Sequence, residues 1–464
     1  MSGFSSPDNI NLTQKCSEVL VDIKETPDDE LHKTYELDKC ISWITKNNFE
    51  RTCLQFPDKL LNDGVSVALY LENALGRTFY LLADTAFGSC CVDHISAEHV
   101  KGDSIIHFGH ACLSHFSKVP VLYIFEKEEL EINKLKNALD RVIPQNVHIL
   151  IFYDDVYYHL YNNLCKIFEN TNVQITKIVT PEDGAVKDEK VRELYGRTFC
   201  LSSNKDSAAV FLGGDCITLQ NLALALPDIK WYYYMNGNLI EYEPSRSKFL
   251  MKKYHQMEVV KDANVIGILI GTLGIENYLN AIERVKFLAK NHGKKCYILA
   301  VGRPNVCKLA NFLEVDVFVS IACSENVSQD FKEYYKPVVS LFEVEMALGN
   351  HLFRTEYVND FREVLHKYSS TTEIEPKSES EVSLTSGKIR SHLKHGDHSS
   401  TALQEKMEGA LMEAKGAEFL SSRSWRGLEQ NLDNKDPAKV ETGRSGIPLG
   451  YENEYNTLTE EAEK

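Results

Sequence analysis

The sequence predicts an α/β protein of three related small domains, each a parallel sheet with flanking helices, around a central cluster site. Short apolar runs rich in β-branched and aromatic residues alternate with longer stretches of helical periodicity. These runs recur in sets about 110 residues apart, a spacing that suits duplicated domains and is too long for a solenoid unit. At 464 residues, the chain is also too long for one ordinary domain.

The domain boundaries follow from shifts in composition. Residues 1–37 are polar and are predicted to form an N-terminal arm. The three α/β domains are predicted at 38–117, 118–242 and 243–365. The tail at 366–464 is polar, charged and poor in aromatic residues, and is predicted to be largely disordered with a docking tract near 425–451.

The apolar runs predict the strands of each domain. The first domain has runs at 52–56, 78–84 and 104–109, with a helix at 58–75. The second set has runs at 119–125, 147–153, 173–180, 208–213 and 229–235. The third set has runs at 264–270, 295–301, 315–321 and 337–341. Because ligands gather at the carboxyl ends of parallel strands, residues just past these runs are the candidate functional groups.

Composition excludes several classes of function. A net charge of −16 argues against a nucleic-acid binder, because phosphate contacts need a basic face. The longest apolar runs are far shorter than a membrane span, and the first residues do not have the pattern of a signal peptide. We therefore expect a cytoplasmic protein with no membrane and no nucleic-acid partner. In that reducing compartment, the 12 cysteines are expected to be thiols or metal ligands.

Three cysteines far apart in sequence follow apolar runs. They are Cys90 in AFGSCCVD, Cys112 in HFGHACL and Cys323 in VFVSIAC. Thiolates are the preferred ligands of iron–sulfur clusters, and three of them leave one iron of a four-iron cluster open. All three are predicted at the sheet edge where this architecture places functional groups. Simple packing is the alternative for each, since a buried free cysteine behaves as a small apolar residue.

Two details of these motifs leave alternatives open. Cys91 is adjacent to Cys90, and we expect only one of the two to point inward. The histidines His107, His110 and His115 beside Cys112 could suggest zinc, but no CxxC pair accompanies them. We therefore interpret them as polar loop residues that bond to the backbone.

Taken together, GSCCVD, HFGHACL, VGRPNVCKLANF and IACSEN resemble the diphthamide biosynthesis proteins, most closely subunit 2 of the eukaryotic heterodimer. Order and spacing agree over about residues 38–350, and GRSGIPLGY at 443–451 fits as well. The resemblance implies three related α/β domains around a [4Fe-4S] cluster. It also implies that the complex transfers a 3-amino-3-carboxypropyl group from S-adenosylmethionine to a histidine of elongation factor 2.

The resemblance implies ligands residue by residue. GSCC matches the first-domain motif and gives Cys90, with Cys91 in reserve, and IACSEN gives Cys323 with a serine in place of the usual proline. The middle-domain motif, LGCTSP in catalytic members, is not preserved, and its nearest stretch is the one around Cys200. We therefore predict Cys90, Cys112 and Cys323 as cluster ligands. Cys200 is the competitor of Cys112, and Cys216 is a more distant candidate.

A changed ligand set alters the potential of a cluster and the access to it. We therefore expect an accessory subunit whose cluster helps to reduce the catalytic cluster of a homologous subunit 1, with a small electron-donor protein as a further partner. Two other hypotheses stay open. The chain could be the catalytic radical enzyme itself, as a homodimer that uses Cys200. It could also be a structural scaffold whose cysteines only pack.

Overall fold

Three sheets whose parallel strands share one order form the body of the protein in its described residues. The structure is a computed structural model and describes residues 26–82, 88–115, 119–144, 146–169, 171–181, 191–200, 206–244, 248–302, 304–328, 334–349, 356–368, 381–385, 387 and 389–390. In each sheet the second strand along the chain lies beside the first, and the third and fourth follow on the other side. This arrangement confirms the predicted fold class of repeated α/β units with flanking helices.

The first sheet is entirely parallel and is covered on one face by the first three helices. Its strands are β1 (Thr52–Gln55), β2 (Tyr80–Leu82), β3 (Ser104–Phe108) and β4 (Val121–Ile124). Its helices are α1 (Asp28–Thr34), α2 (Leu37–Asn47), α3 (Leu61–Leu75) and α4 (His94–His99), with a 3-10 turn at Asp58–Leu60. Every residue of β1, β3 and β4 is buried, as expected for strands covered on both faces.

The second sheet has four parallel strands and an antiparallel edge strand, and a small antiparallel sheet lies within the same stretch of chain. The strands are β5 (His148–Tyr153), β6 (Val173–Ile175), β7 (Lys177–Ile178), β8 (Val191–Leu194), β9 (Arg197–Cys200), β10 (Ser207–Leu212), β11 (Lys230–Met235) and β12 (Asn238–Tyr242). Strands β7, β9 and β8 form the small sheet, and β12 is the antiparallel edge. The helices are α5 (Ile132–Val142), α6 (Tyr161–Phe168) and α7 (Ile217–Ala225), with a 3-10 helix at Asp155–Leu160.

The third sheet repeats the parallel order of the first. Its strands are β13 (Val265–Ile270), β14 (Lys295–Leu299), β15 (Val317–Ile321) and β16 (Val338–Val339). Its helices are α8 (Lys248–Asp262), α9 (Tyr278–Asn291), α10 (Val306–Leu309), α11 (Ser324–Ser328), α12 (Leu341–Leu348) and α13 (Phe361–Tyr368). A short antiparallel pair, β17 (Glu381–Val382) and β18 (Ile389–Arg390), follows.

One predicted strand belongs to a different sheet than expected. The run at 119–125 was expected to open the second domain, but β4 pairs with β3, with Ile105 opposite Val121 and Phe108 opposite Ile124. The connection between β3 and β4 contains no helix in its described residues, so the usual sequence sign of a parallel crossover is missing there. The first sheet therefore extends past the boundary predicted at residue 117.

The ends of the predicted body also differ from expectation. Within the predicted arm, Leu31 of α1 and Tyr35, which directly follows that helix, are buried in the core of the first sheet. At the other end, α13 continues to Tyr368, which is buried in the core of the third sheet. Residues 1–25 and the docking tract near 425–451 lie outside the described residues.

The run predicted at 173–180 is divided between two sheets. Its first part is β6, which pairs with β5, and its last part is β7, which pairs with β9 of the small sheet. Among the helices that the structure describes, none combines the length and the apolar character needed to cross a bilayer.

Candidate metal centre

Four cysteine sulfurs meet where the loops of the first sheet approach the third. The Sγ atoms of Cys90 and Cys323 are 3.7 Å apart, although the residues are 233 positions apart in sequence. The Sγ atoms of Cys91 and Cys112 are 3.8 Å apart, and those of Cys90 and Cys91 are 4.0 Å apart. All four sulfurs lie within 4.8 Å of one another. We call Cys90, Cys91, Cys112 and Cys323 the four-cysteine group.

Each member of the group lies in a connection that follows the carboxyl end of a parallel strand. Cys90 and Cys91 lie between β2 and α4, Cys112 lies in the connection from β3 to β4, and Cys323 lies two residues past β15. Carboxyl ends of parallel strands share one edge of a sheet, which is where ligand-binding loops meet. The structure thus brings Cys90, Cys112 and Cys323 together, as the sequence predicted. It also adds Cys91, which the sequence had placed in reserve.

The loop that carries the adjacent cysteines is fixed by backbone hydrogen bonds. The amide of Cys91 donates to the carbonyl of Gly88 at 3.1 Å, and the amide of Cys112 donates to the carbonyl of Cys90 at 3.1 Å. A Cβ atom on Gly88 would overlap the side-chain amide of Asn326 in α11. Glycine at this position therefore allows the loop to lie against the turn that carries Cys323.

The four thiols of the group shift one another's pKa values in opposite directions. Hydrogen bonds from Cys323, Cys90 and Cys91 lower the pKa of Cys112 well below its usual value. Hydrogen bonding to Cys112 in turn raises the pKa of Cys90 and Cys91 well above the usual value. Four buried thiolates repel one another unless a cation lies among them. The donor set therefore fits a cationic centre that soft sulfur ligands prefer.

His110 connects the loop of Cys112 to the other two sheets. Its Nδ1 lies 2.7 Å from Asp155, which follows β5, and its Nε2 lies 2.8 Å from Glu325 in α11. Burial alone would lower the pKa of His110, but the two carboxylates outweigh it and raise the pKa to about 12. The imidazole is therefore a cation that links segments of all three sheets beside the four-cysteine group.

A cavity of about 700 Å³ opens beside one member of the group. Residues from the edges of all three sheets line it, among them Cys90, His110, Asp154, Cys216 and Glu325. Cys90 is half-buried, whereas Cys91, Cys112 and Cys323 are between 1% and 4% exposed. Cys90 is thus the member of the group that faces the cavity.

The middle sheet places no cysteine at the position that corresponds to Cys323. In the third sheet, β15 ends at Ile321, which lies opposite Ile270 of β13, and Cys323 follows two residues later. In the second sheet, β10 is the matching strand, and its last residue Leu212 lies opposite Tyr153 of β5. The residue two positions beyond is Gly214.

The two rival cysteines of the middle sheet lie outside the group. Cys200 is exposed on β9 of the small antiparallel sheet, and Cys216 is a cavity-lining residue at the start of α7. The sequence prediction matched the middle-domain motif to the stretch around Cys200 because a cysteine remained there. Strand order shows instead that the matching loop follows β10, and strand order cannot be read from a short motif.

Sequence reasoning missed three further features of the site. The side chains of both Cys90 and Cys91 point toward the other sulfurs of the group. Neighbouring side chains of an extended chain point to opposite sides, but residues 88–91 form a turn and do not follow that rule. His110 and His115 pair with carboxylates rather than with the backbone, His115 with Glu193 at 2.5 Å. The carboxyl groups of Asp154 and Asp155 were not noticed, although two acidic residues directly after a buried strand were a usable signal.

The carboxyl of Asp154 gives a testable dependence of stability on pH. Burial, and then the charge of Asp155, raise the pKa of Asp154 from 3.8 to about 7. Because the folded pKa is higher than the unfolded pKa, this group favours the folded state below pH 3.8, and that advantage is lost as the pH rises through 7. Asp154→Asn keeps the Oδ1 acceptor that the amide of Asp155 uses at 2.8 Å.

We therefore expect Asp154→Asn to be more stable than the wild type at pH 8, by about 1–3 kcal/mol, with a smaller difference at pH 5. Urea unfolding at both pH values measures the difference. The matched control is Asp228→Asn, because Asp228 is exposed and water solvates its charge. An equal effect of the two variants at pH 8 would contradict the assignment.

Sequence comparison identifies the family of the chain. A family model of diphthamide synthesis proteins matches residues 56–358. The chain belongs to the diphthamide synthesis family. Curated family members similar to it include proteins from Danio rerio and Xenopus laevis, which are 35% and 36% identical over 93% and 94% of this chain. These alignments cover 93% and 95% of the two relatives. Both carry the name 2-(3-amino-3-carboxypropyl)histidine synthase subunit 2.

Other members of the diphthamide synthesis family extend the comparison. The Homo sapiens protein of the same name is 30% identical over 98% of this chain and 99% of its own length. A crystal structure of Dph2 from Pyrococcus horikoshii has a TM-score of 0.53 and 19% identity, covering 70% of this chain and 92% of that one. A second structure of that protein, with the same values, is described as containing a 4Fe-4S cluster. At this identity the likeness shows a shared fold.

Proposed function

We propose that this chain is the iron–sulfur subunit of a cytoplasmic complex that transfers a 3-amino-3-carboxypropyl group from S-adenosylmethionine to a histidine of elongation factor 2. This is the first step of diphthamide synthesis. The observation that carries the proposal is the four-cysteine group, in a chain whose relatives are named as subunit 2 of the corresponding histidine synthase. The name of those relatives implies a partner, which we take to be a homologous subunit 1.

The four-cysteine group would hold the [4Fe-4S] cluster. Its sulfurs converge from separate loops, and its members lie in or against the core of the third sheet. When bound, such a cluster supplies one-electron transfer, and it can bind a substrate wherever an iron has no protein ligand. The residues of this chain supply the thiolates. Cys91, Cys112 and Cys323 are shielded from solvent, while Cys90 faces the cavity.

The division of cysteines among the sheets supports an accessory role. The first sheet contributes three members of the group and the third contributes one, while the residue two positions beyond β10 in the middle sheet is Gly214. We infer that the cluster passes electrons from a small donor protein to the catalytic cluster of subunit 1. The catalytic homodimer is less well supported, because Cys200 is exposed and lies outside the group.

One observation favours a second candidate function. The sulfur–sulfur distances of 3.7 to 4.0 Å resemble those of four thiolates around a single zinc ion. Zinc–sulfur bonds of about 2.3 Å in a tetrahedron place the sulfurs about 3.8 Å apart. A structural zinc site would make the chain a scaffold for its partner rather than a carrier of electrons.

Metal analysis distinguishes these candidates. The chain is purified in the absence of oxygen together with subunit 1, the two are separated, and iron, zinc and sulfide are measured in each. We expect iron and sulfide in about equal amounts, close to four per chain. Stoichiometric zinc without sulfide would show a structural site. Protein that contains neither metal after anaerobic reconstitution would contradict both candidates.

A further inference from the structure

We propose that His110, Asp154 and Asp155 form a second metal site, which binds a divalent cation and uses no sulfur of the four-cysteine group. We call these three residues the His–Asp group. One ligand atom from each residue lies within 4.8 Å of those from the other two. Ligand atoms that bind one cation at about 2.1–2.5 Å are at most about 4–5 Å apart. The three side chains are therefore close enough to share one ion.

One buried carboxylate oxygen of Asp155 has no hydrogen-bond partner among the described residues. The Asp155 side chain is 2% exposed. Its Oδ2 accepts from the amide of Ala111 at 3.0 Å and lies 2.7 Å from Nδ1 of His110, whereas its Oδ1 has no partner. Burial of a carboxylate oxygen without a partner costs free energy, and a bound cation removes that cost. Carboxylates that only face water contain no such atom.

His110 has the contacts of a metal-binding histidine. Its Nε2 lies 2.8 Å from Oε2 of Glu325, whose Oε1 accepts from the hydroxyl of Thr218 at 3.3 Å. Metal-binding histidines usually donate one ring N–H to a carboxylate, which leaves the other nitrogen for the ion. Here that nitrogen is Nδ1, and in the metal-bound form the ion takes the place of its proton.

The spacing of the ring nitrogen and the carboxylate also fits shared coordination. Nδ1 of His110 lies 2.7 Å from Oδ2 of Asp155. Adjacent ligands of an octahedral ion are about 3 Å apart when the bonds are about 2.1 Å long. Asp154 is held next to them, because its Oδ1 accepts from the amide of Asp155 at 2.8 Å. Binding an ion therefore needs only small movements of these side chains.

The charges around the site favour a cation. Three carboxyl groups, those of Asp154, Asp155 and Glu325, surround one imidazole. Arg197 adds a positive charge that acts on Asp154, but its guanidinium donates to backbone carbonyl groups. A divalent cation balances the negative charge that is left.

The cavity of about 700 Å³ gives the ion access to the site. His110 and Asp154 line this cavity, and the His110 side chain is 42% exposed. Water in the cavity can complete the coordination of the ion. Carboxylates suit Mg²⁺ and Mn²⁺, imidazole suits transition metals, and thiolates select softer metals. Mn²⁺ therefore suits the donors of the His–Asp group better than it suits the four cysteine sulfurs.

Titration with Mn²⁺ tests the inference. The full chain is purified in the absence of oxygen, passed over a chelating resin to remove loosely bound metal, and titrated at room temperature. Free Mn²⁺ gives a six-line paramagnetic resonance signal that decreases when the ion binds, and iron–sulfur clusters give no signal at this temperature. We expect the wild type to bind about one Mn²⁺ per chain.

Asp154→Asn should raise the dissociation constant for Mn²⁺ at least about tenfold, because the amide removes a charged ligand. The matched control is Asp58→Asn, since Asp58 is an exposed carboxylate that lines the same cavity outside the His–Asp group. Its dissociation constant should stay within about twofold of the wild type. Asp154→Asn keeps the acceptor for the amide of Asp155, so the comparison is made on folded protein.

A wild-type protein that leaves the six-line signal unchanged would overturn the second metal site. Equal dissociation constants for the wild type and Asp154→Asn would overturn it as well. An equal loss of affinity in Asp58→Asn and Asp154→Asn would show that only the general negative charge of the cavity attracts the ion, and would also overturn the site. Iron and sulfide are measured in the same samples, so each of these results is distinguished from a failure of the proposed function.

Discussion

Cys323→Ala is expected to lose most of its iron and to stop electron delivery to the partner subunit. Cys323 is the member of the four-cysteine group that comes from the third sheet, and it is 1% exposed. Without it, the remaining three thiolates all come from loops of the first sheet, and the group has no ligand from the third sheet. We expect at least about a tenfold fall in transfer activity when the small electron-donor protein is the reductant.

A chemical reductant separates electron delivery from catalysis. If the cluster of this chain only carries electrons, dithionite should reduce the cluster of the partner directly and restore activity of the Cys323→Ala complex to within about threefold of the wild type. The measurement is transfer of labelled 3-amino-3-carboxypropyl groups to elongation factor 2 with each reductant. Cys200→Ala serves as the control and should match the wild type with both.

Failure of dithionite to rescue an intact Cys323→Ala complex would contradict the electron-carrier role. Complex formation is checked by co-purification, so that loss of the partner is not mistaken for loss of electron transfer. Full activity of Cys323→Ala with the donor protein would favour the scaffold hypothesis instead.

The second large effect concerns a buried ion pair in the third domain. Lys253 of α8 and Glu343 of α12 lie 2.7 Å apart, and their side chains are 5% and 0% exposed. Glu343 also accepts the backbone amide of Ser340 at 2.5 Å. Removing the ammonium group leaves a carboxylate buried without its cation. We therefore expect Lys253→Ala to destabilise the folded state by about 3–5 kcal/mol.

Urea unfolding measures the loss of folding free energy in Lys253→Ala. The matched control is a variant of a more exposed ion pair on the same helix. Lys261 and Glu258 are also 2.7 Å apart, but their side chains are 29% and 17% exposed. Lys261→Ala should cost less than about 1 kcal/mol, because water and salt screen exposed pairs. Equal shifts of the urea midpoint for Lys253→Ala and Lys261→Ala would show that burial of the pair does not matter.

The sequence predicted those parts of the fold that depend on local pattern. The strand expected at 104–109 is β3 at Ser104–Phe108, and the strand expected at 208–213 is β10 at Ser207–Leu212. Both are largely apolar runs, which parallel sheets bury on both faces. The pairing of β4 could not be predicted in the same way, because the connection that precedes it carries no helical signal. The polar helix α1 was missed since only a few of its residues reach the core.

The sequence predicted those site residues that lie in the connections after parallel strands. Cys90, Cys112 and Cys323 each follow a predicted parallel strand, and that placement alone indicated convergence. The inward direction of Cys91 depends on a turn held by Gln55, 36 positions away. The pairing of His110 with Glu325 spans 215 positions. Such contacts exist only after the sheets have assembled, so no local pattern reveals them.

The shared strand order of the three sheets separates the fold from the chemistry at the strand ends. The second and third sheets share one strand order, but the residue two places beyond the third strand is glycine at 214 in one and cysteine at 323 in the other. That residue lies outside the hydrogen-bonded strand, and a Cβ at Gly214 would meet only the sulfur of Met235 at 4.0 Å. A change of side chain at this position needs no change in the strands, so its chemistry can differ between sheets that share one fold.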